Sequence, residues 1–137
     1  MRYLGLDLGT KTLGLSISDR TNTIAVPLDT IRYKNNDELF LALDKIIQKE
    51  EITILVLGFP KNMNNTIGER AQSVLLFKEE LIKRYSMEVI LIDERLSTQE
   101  VEKILISADV SRGKRKKVVD KLAASIILDT YLRRINK

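Results

Sequence analysis

An α/β fold is predicted, with a mixed five-stranded sheet and helices on both of its faces. Three observations predict it. Residues 2–32 hold three extended segments separated by short turns, the pattern of an antiparallel meander. The apolar period then lengthens from strand-like to helical. Beyond that point, helical stripes alternate with two more apolar runs, as in parallel strands joined by helices.

Residues 2–8 read as the first strand, with Tyr3, Gly5 and Asp7 on one side and Leu4, Leu6 and Leu8 on the other. Gly9-Thr10-Lys11 is a turn, and Thr12–Ser18 returns as the second strand. The third runs from about Thr23 to Arg32, and Pro27 within it marks an edge strand or a bulge. Asn36 or Asp37 can cap a helix with Leu39, Leu43, Ile46 and Ile47 on one stripe. Ile52–Gly58 is continuously apolar, as a strand covered on both faces should be. Thr66–Glu69 reads as a capping box for a helix reaching about Tyr85, and Met87–Ile92 as the fifth strand. A second capping box, Ser97–Glu100, opens a helix with Val101, Ile104, Leu105 and Ala108. A basic loop follows, and the last helix spans about Lys116–Arg134.

The 137 residues suit one domain, 1–137, with a core of its own. No apolar run approaches the roughly 20 residues of a membrane span, and no signal-peptide pattern opens the chain, so a cytoplasmic protein is expected. The chain contains neither cysteine nor histidine. That excludes disulfides, thiolate or imidazole metal sites, Cys nucleophiles and Ser-His-Asp chemistry. Any metal must be held by oxygen, which favours Mg2+ or Mn2+. The net charge of +4 is local in origin. Arg112, Lys114, Arg115, Lys116 and Lys117 lie within seven residues, as in a phosphate-contacting patch, although a solvated surface loop would look the same.

The chemistry centres on acidic positions. Asp7 lies inside an apolar strand, and a buried charge needs a partner; Gly5, on the same side of the strand, reads as clearance near such an ion site. Asp93-Glu94 follows the fifth strand. On a helical wheel Asp120 falls within about 30° of the apolar side containing Ala123, Ala124 and Ile127, so it is expected to face the sheet. Singly, each has an ordinary structural explanation: a hydrogen-bonded Asp, a solvated turn, a helix-dipole partner. Together they suit divalent ions that activate water against a phosphodiester, chemistry that needs no His or Cys.

The chain resembles the YqgF/RuvX family of Holliday-junction-resolvase-like proteins and pre-16S rRNA nucleases. The matching segments are Leu6–Asp19, Gly58–Pro60, Asn62-Met63, Gly68–Ala71, Asp93–Thr98 and Val119–Ala124, in family order over nearly the whole chain. Thr12 departs from the Arg of many members, and Lys61–Thr66 from their usual loop. The resemblance implies a ribonuclease-H-like fold and a metal-dependent nuclease site at Asp7, Glu94 and Asp120. It also implies a role in maturing the 5′ end of 16S rRNA or, alternatively, in resolving branched DNA. Strand parity leaves Asp93 against Glu94 open if the strand ends between them; the family pattern favours Glu94 as metal ligand, with Asp93 in reserve.

The expected activity is therefore endonucleolytic cleavage of structured nucleic acid around a two-ion site. Lys11, Arg95 and the Arg112–Lys117 loop would hold flanking phosphates. A non-cutting RNA-binding module is the competing reading. The Asp-Leu-Gly-Thr turn also resembles a phosphate-binding loop of the sugar kinase, actin and Hsp70 group, which needs two such domains. A monomer or weak dimer is expected, since no isolated apolar stripe demands a partner.

Overall fold

The computed structural model describes residues 1–60, 68–93, 103–104 and 106–136, without the side chains of 116–121. Strands β1 (Tyr3–Leu8), β2 (Thr12–Ser18) and β3 (Ala25–Arg32) form the meander. Helix α1 (Asn36–Lys49) leads to β4 (Ile54–Phe59), and α2 (Glu69–Tyr85) leads to β5 (Glu88–Asp93). Helix α3 (Arg112–Ile135) follows as the last of these elements. The strands form one sheet in the order β3-β2-β1-β4-β5. The β1–β4 and β4–β5 pairs are parallel and the other two antiparallel, as expected from the sequence. Pro27 lies on the edge strand β3, whose register against β2 shifts between Leu13 and Leu15.

Alternation along each strand divides the core in two. Leu4, Leu6, Leu55, Leu57, Val89 and the inward residues of β2 pack with α1 and α2. Tyr3, Val56 and Ile92 pack with Ile127, Leu128 and Leu132 of α3 on the other face. Each of those α3 side chains is essentially inaccessible, a burial worth about 1.5–3 kcal/mol apiece. On the first face, Arg84 of α2 grips Asp44 of α1 through both carboxylate oxygens, at 2.9 and 2.6 Å, and Tyr85 Oη donates to the same group at 2.5 Å.

Helix α3 comes unusually close to β1 and β2 because the residues beneath it are small. A Cβ on Gly5 would lie 2.3 Å from Ser16 Oγ and 2.8 Å from both Ala124 O and Leu128 Cβ. Ser16 Oγ donates to Ala124 O at 2.7 Å, tying sheet to helix. Gly5 therefore makes room for the helix; the sequence had suggested clearance beside an ion site.

The helix starts also differ from expectation. Asn35 caps α1, accepting from Glu38 N at 2.9 Å, while Glu38 Oε2 accepts from Lys34 N. Asn35 thus takes the capping role in place of Asn36 and Asp37. Gly68 precedes α2 without a side-chain cap, so Glu69 begins that helix rather than completing a capping box; Thr66 lies outside the described residues. Ser97–Val101 and Leu105 also lie outside them, with helical backbone at Lys103, Ile104, Ile106 and Ser107. The expected basic loop is instead the opening of α3. Ser111 is its N-cap and accepts from Lys114 N at 3.4 Å. Lys and Arg are good helix formers, and only Gly113 weakens this stretch.

Candidate active site

Asp7 is the next-to-last residue of β1, on the face covered by α3, with its side chain 21% exposed. Its cross-strand partner is Gly14. A Cβ on Gly14 would stand 3.5 Å from Asp7 Cβ and 3.7 Å from Ala124 Cβ, so the glycine marks the gap between carboxylate and helix. Tyr131 meets Tyr3 near the start of β1, whereas Ala124 lies over Gly5 and Gly14. Helix and strand thus run in opposite senses, and the N-terminal part of α3 passes beyond the carboxyl end of β1. Ligand sites in open α/β sheets form at that end.

Position 120 lies in α3 one turn before Ala124, about 5–6 Å of helix rise. Its side chain, and all of Glu94 and Arg95, fall outside the described residues. Asp93 is inside them and still within β5, paired with Phe59. Alternation groups it with Val89 and Leu91, which pack toward α1 and α2, while Ile90 and Ile92 face α3. Asp93 therefore occupies the face opposite Asp7. Among the described residues, no cluster of three acidic side chains suited to a metal is formed.

Lys11 is exposed in the β1–β2 turn at the same end of the sheet. That turn is closed by Gly9 N donating to Thr12 O at 2.8 Å and braced by Tyr33, whose hydroxyl donates to Gly9 O at 3.2 Å. Burial raises the Tyr33 pKa, so the phenol stays protonated for this bond. Arg112 and Lys114 are exposed in the first turn of α3, and Arg115 is half-buried, donating to Val110 O at 3.3 Å. By helix rise they stand roughly 14–18 Å before Ala124 along the axis. Lys116 and Lys117 continue the helix, with side chains outside the description.

One contact of Asp7 was not foreseen. Arg70 of α2 places Nη2 3.7 Å from Asp7 Oδ1 and 3.5 Å from Leu8 O. Arg70 also borders a groove of about 550 Å³ between α1 and α2, where Gly9, Thr10, Tyr33 and Phe77 contribute to the wall. The segment Gly68–Ala71 stood out in the sequence, but a partner in β1 could not be read from it.

The sequence pattern of the RuvX family, described as Holliday junction resolvase, matches residues 1–134. This chain belongs to the RuvX family. Proteins named "Putative pre-16S rRNA nuclease" are similar to it over nearly their whole length. That of Bacillus subtilis is 49% identical, covering 99% of this chain and 100% of the relative. That of Thermoanaerobacter pseudethanolicus is 48% identical, covering 96% of each. The fold is also that of solved resolvases. Thermus thermophilus RuvC with a Holliday junction substrate superposes at TM-score 0.57 and 12% identity, covering 100% of this chain and 97% of RuvC. Fowlpox virus resolvase with Holliday junction DNA gives 0.52 and 12%, covering both chains fully. The RuvX chain is thus a ribonuclease-H-like nuclease, an enzyme that hydrolyses phosphodiester bonds. No described helix is long and apolar enough to cross a membrane.

Proposed function

We propose that this RuvX chain is a metal-dependent endonuclease that trims structured RNA at the 5′ end of precursor 16S rRNA, in the cytoplasm, as a monomer or weak dimer. The observation that carries the reading is Asp7: a half-buried carboxylate at the carboxyl end of β1, in a nuclease family, with a guanidinium already drawn to it. The donor chemistry fits a hard divalent ion, since the chain offers oxygen ligands and no thiol or imidazole. Asp7, Glu94 and Asp120 are the residues that would hold Mg2+ or Mn2+. The placement of Asp93 on the opposite face favours Glu94 over it. Once bound, a pair of such ions supplies the charge that activates water and stabilises the leaving oxygen.

The remaining work falls to the chain itself. Lys11, Arg95 and the basic residues from Arg112 to Lys117 hold phosphates on either side of the scissile bond. Tyr33 keeps the Lys11 turn in place through Gly9 O and through its own N–H, which donates to Lys11 O at 3.1 Å. Branched DNA is the second reading, favoured by the family's description as a Holliday junction resolvase.

Incubating the purified chain and Mn2+ with a 5′-extended 16S rRNA fragment, and separately with a four-way DNA junction, separates these readings. Cleavage of the RNA at a defined position is expected. Cleavage of the junction alone would support the DNA reading, and binding of either without cutting would make the chain an RNA- or DNA-holding module.

A further inference from the structure

Arg70 stands in the first turn of α2, where a cation opposes the helix dipole and where Glu69 is the favoured kind of residue. It contributes nothing to the apolar stripe of Ala71, Val74, Phe77 and Leu81, and its side chain is 59% exposed. Local preference therefore does not account for an arginine here. What the side chain does instead is cross the end of the sheet from α2 to β1, toward Asp7 Oδ1 and Leu8 O. Departures from local preference of this kind concentrate at functional positions.

We propose that Arg70 is a substrate-positioning residue, anchoring a phosphate of the nucleic acid presented to Asp7. This rests on Asp7 being the active-site carboxylate. A guanidinium offers a planar fork matched to phosphate oxygens. At 3.7 Å the approach to Asp7 lies outside hydrogen-bonding range, and partly exposed ion pairs are weak. With five N–H donors and a side chain 59% exposed, the guanidinium can take a phosphate arriving from solvent while it stands beside Asp7, at the point where chemistry occurs. The competing explanation is a structural strap between α2 and β1.

The two differ in their response to salt. Each phosphate contact contributes about 0.7–0.9 to the slope of log affinity against log salt concentration. Binding is measured by fluorescence anisotropy with a labelled RNA hairpin bearing single-stranded flanks, in EDTA, from about 50 to about 200 mM salt. Arg70→Gln is expected to lower the slope by about 0.7–0.9 and low-salt affinity by about tenfold, whereas Arg70→Lys keeps the slope. An unchanged slope in Arg70→Gln overturns the proposal, as does an equal loss in Arg70→Lys, and a fall in thermal stability with unchanged slope identifies the strap. Asp7→Asn should leave this slope in place, so loss of cleavage in that variant reports on the active-site reading alone. Failure of the unaltered chain to bind the hairpin would overturn both.

Discussion

At Asp7, what surrounds the carboxylate is set by its neighbours' lack of bulk. Gly14 opposite it, Gly5 two residues before it and Ser16 on β2 form the seat on which α3 rests. Of these, the sequence singled out Gly5, as clearance for an ion; the close approach of Ala124 and Leu128 was invisible because it depends on how α3 crosses the sheet. Arg70 was missed for the same reason, since its partners lie more than sixty positions away in the chain. The seat makes a definite prediction. Gly5→Ala forces a Cβ against the Ala124 carbonyl and strains the Ser16 bond, and should cost about 3 kcal/mol. The midpoint of urea unfolding measures it. A loss below about 1 kcal/mol would mean that α3 lifts without resistance.

Among elements, the strands were the most legible, because alternation and continuous apolar runs report directly on which faces are covered. Helix α3 was the least legible at its start. Five cations and a glycine within seven residues read as a loop, yet the Ser111 cap and the helix propensity of Lys and Arg carry the helix back to Arg112. The helix opens with no acidic residue in its first turn and with Arg112 and Lys114 there instead. Those charges oppose the dipole, an arrangement that an anionic partner relieves. Lys114→Glu would remove one opposed charge and complete a Ser-x-x-Glu capping box. It should stabilise the chain by about 0.5–1 kcal/mol, seen as a higher thermal midpoint. The same change should weaken hairpin binding. Stabilisation with unaltered binding would remove this turn from the nucleic-acid surface.

For the whole molecule, element order alone conveyed the mixed sheet, because three turn-linked strands followed by alternating helices and apolar runs admit few right-handed arrangements. The opposite sense of α3 against β1 was not legible. It follows from Tyr131 meeting Tyr3 and Ala124 meeting Gly14, contacts between opposite ends of the chain. That orientation brings the basic turn of α3, the Lys11 turn and Asp7 to one end of the sheet. Asp93, by contrast, is turned away by strand alternation.

The central claim, that Asp7 anchors the cleavage centre, is tested most directly by comparing Asp7→Asn with the unaltered chain on a 5′-extended 16S rRNA fragment in Mn2+. The substitution preserves size and replaces the charged carboxylate with a neutral amide. Cleavage should fall by at least about 100-fold while affinity for the fragment is retained. Undiminished Mn2+-dependent cleavage by the pure variant would contradict the assignment.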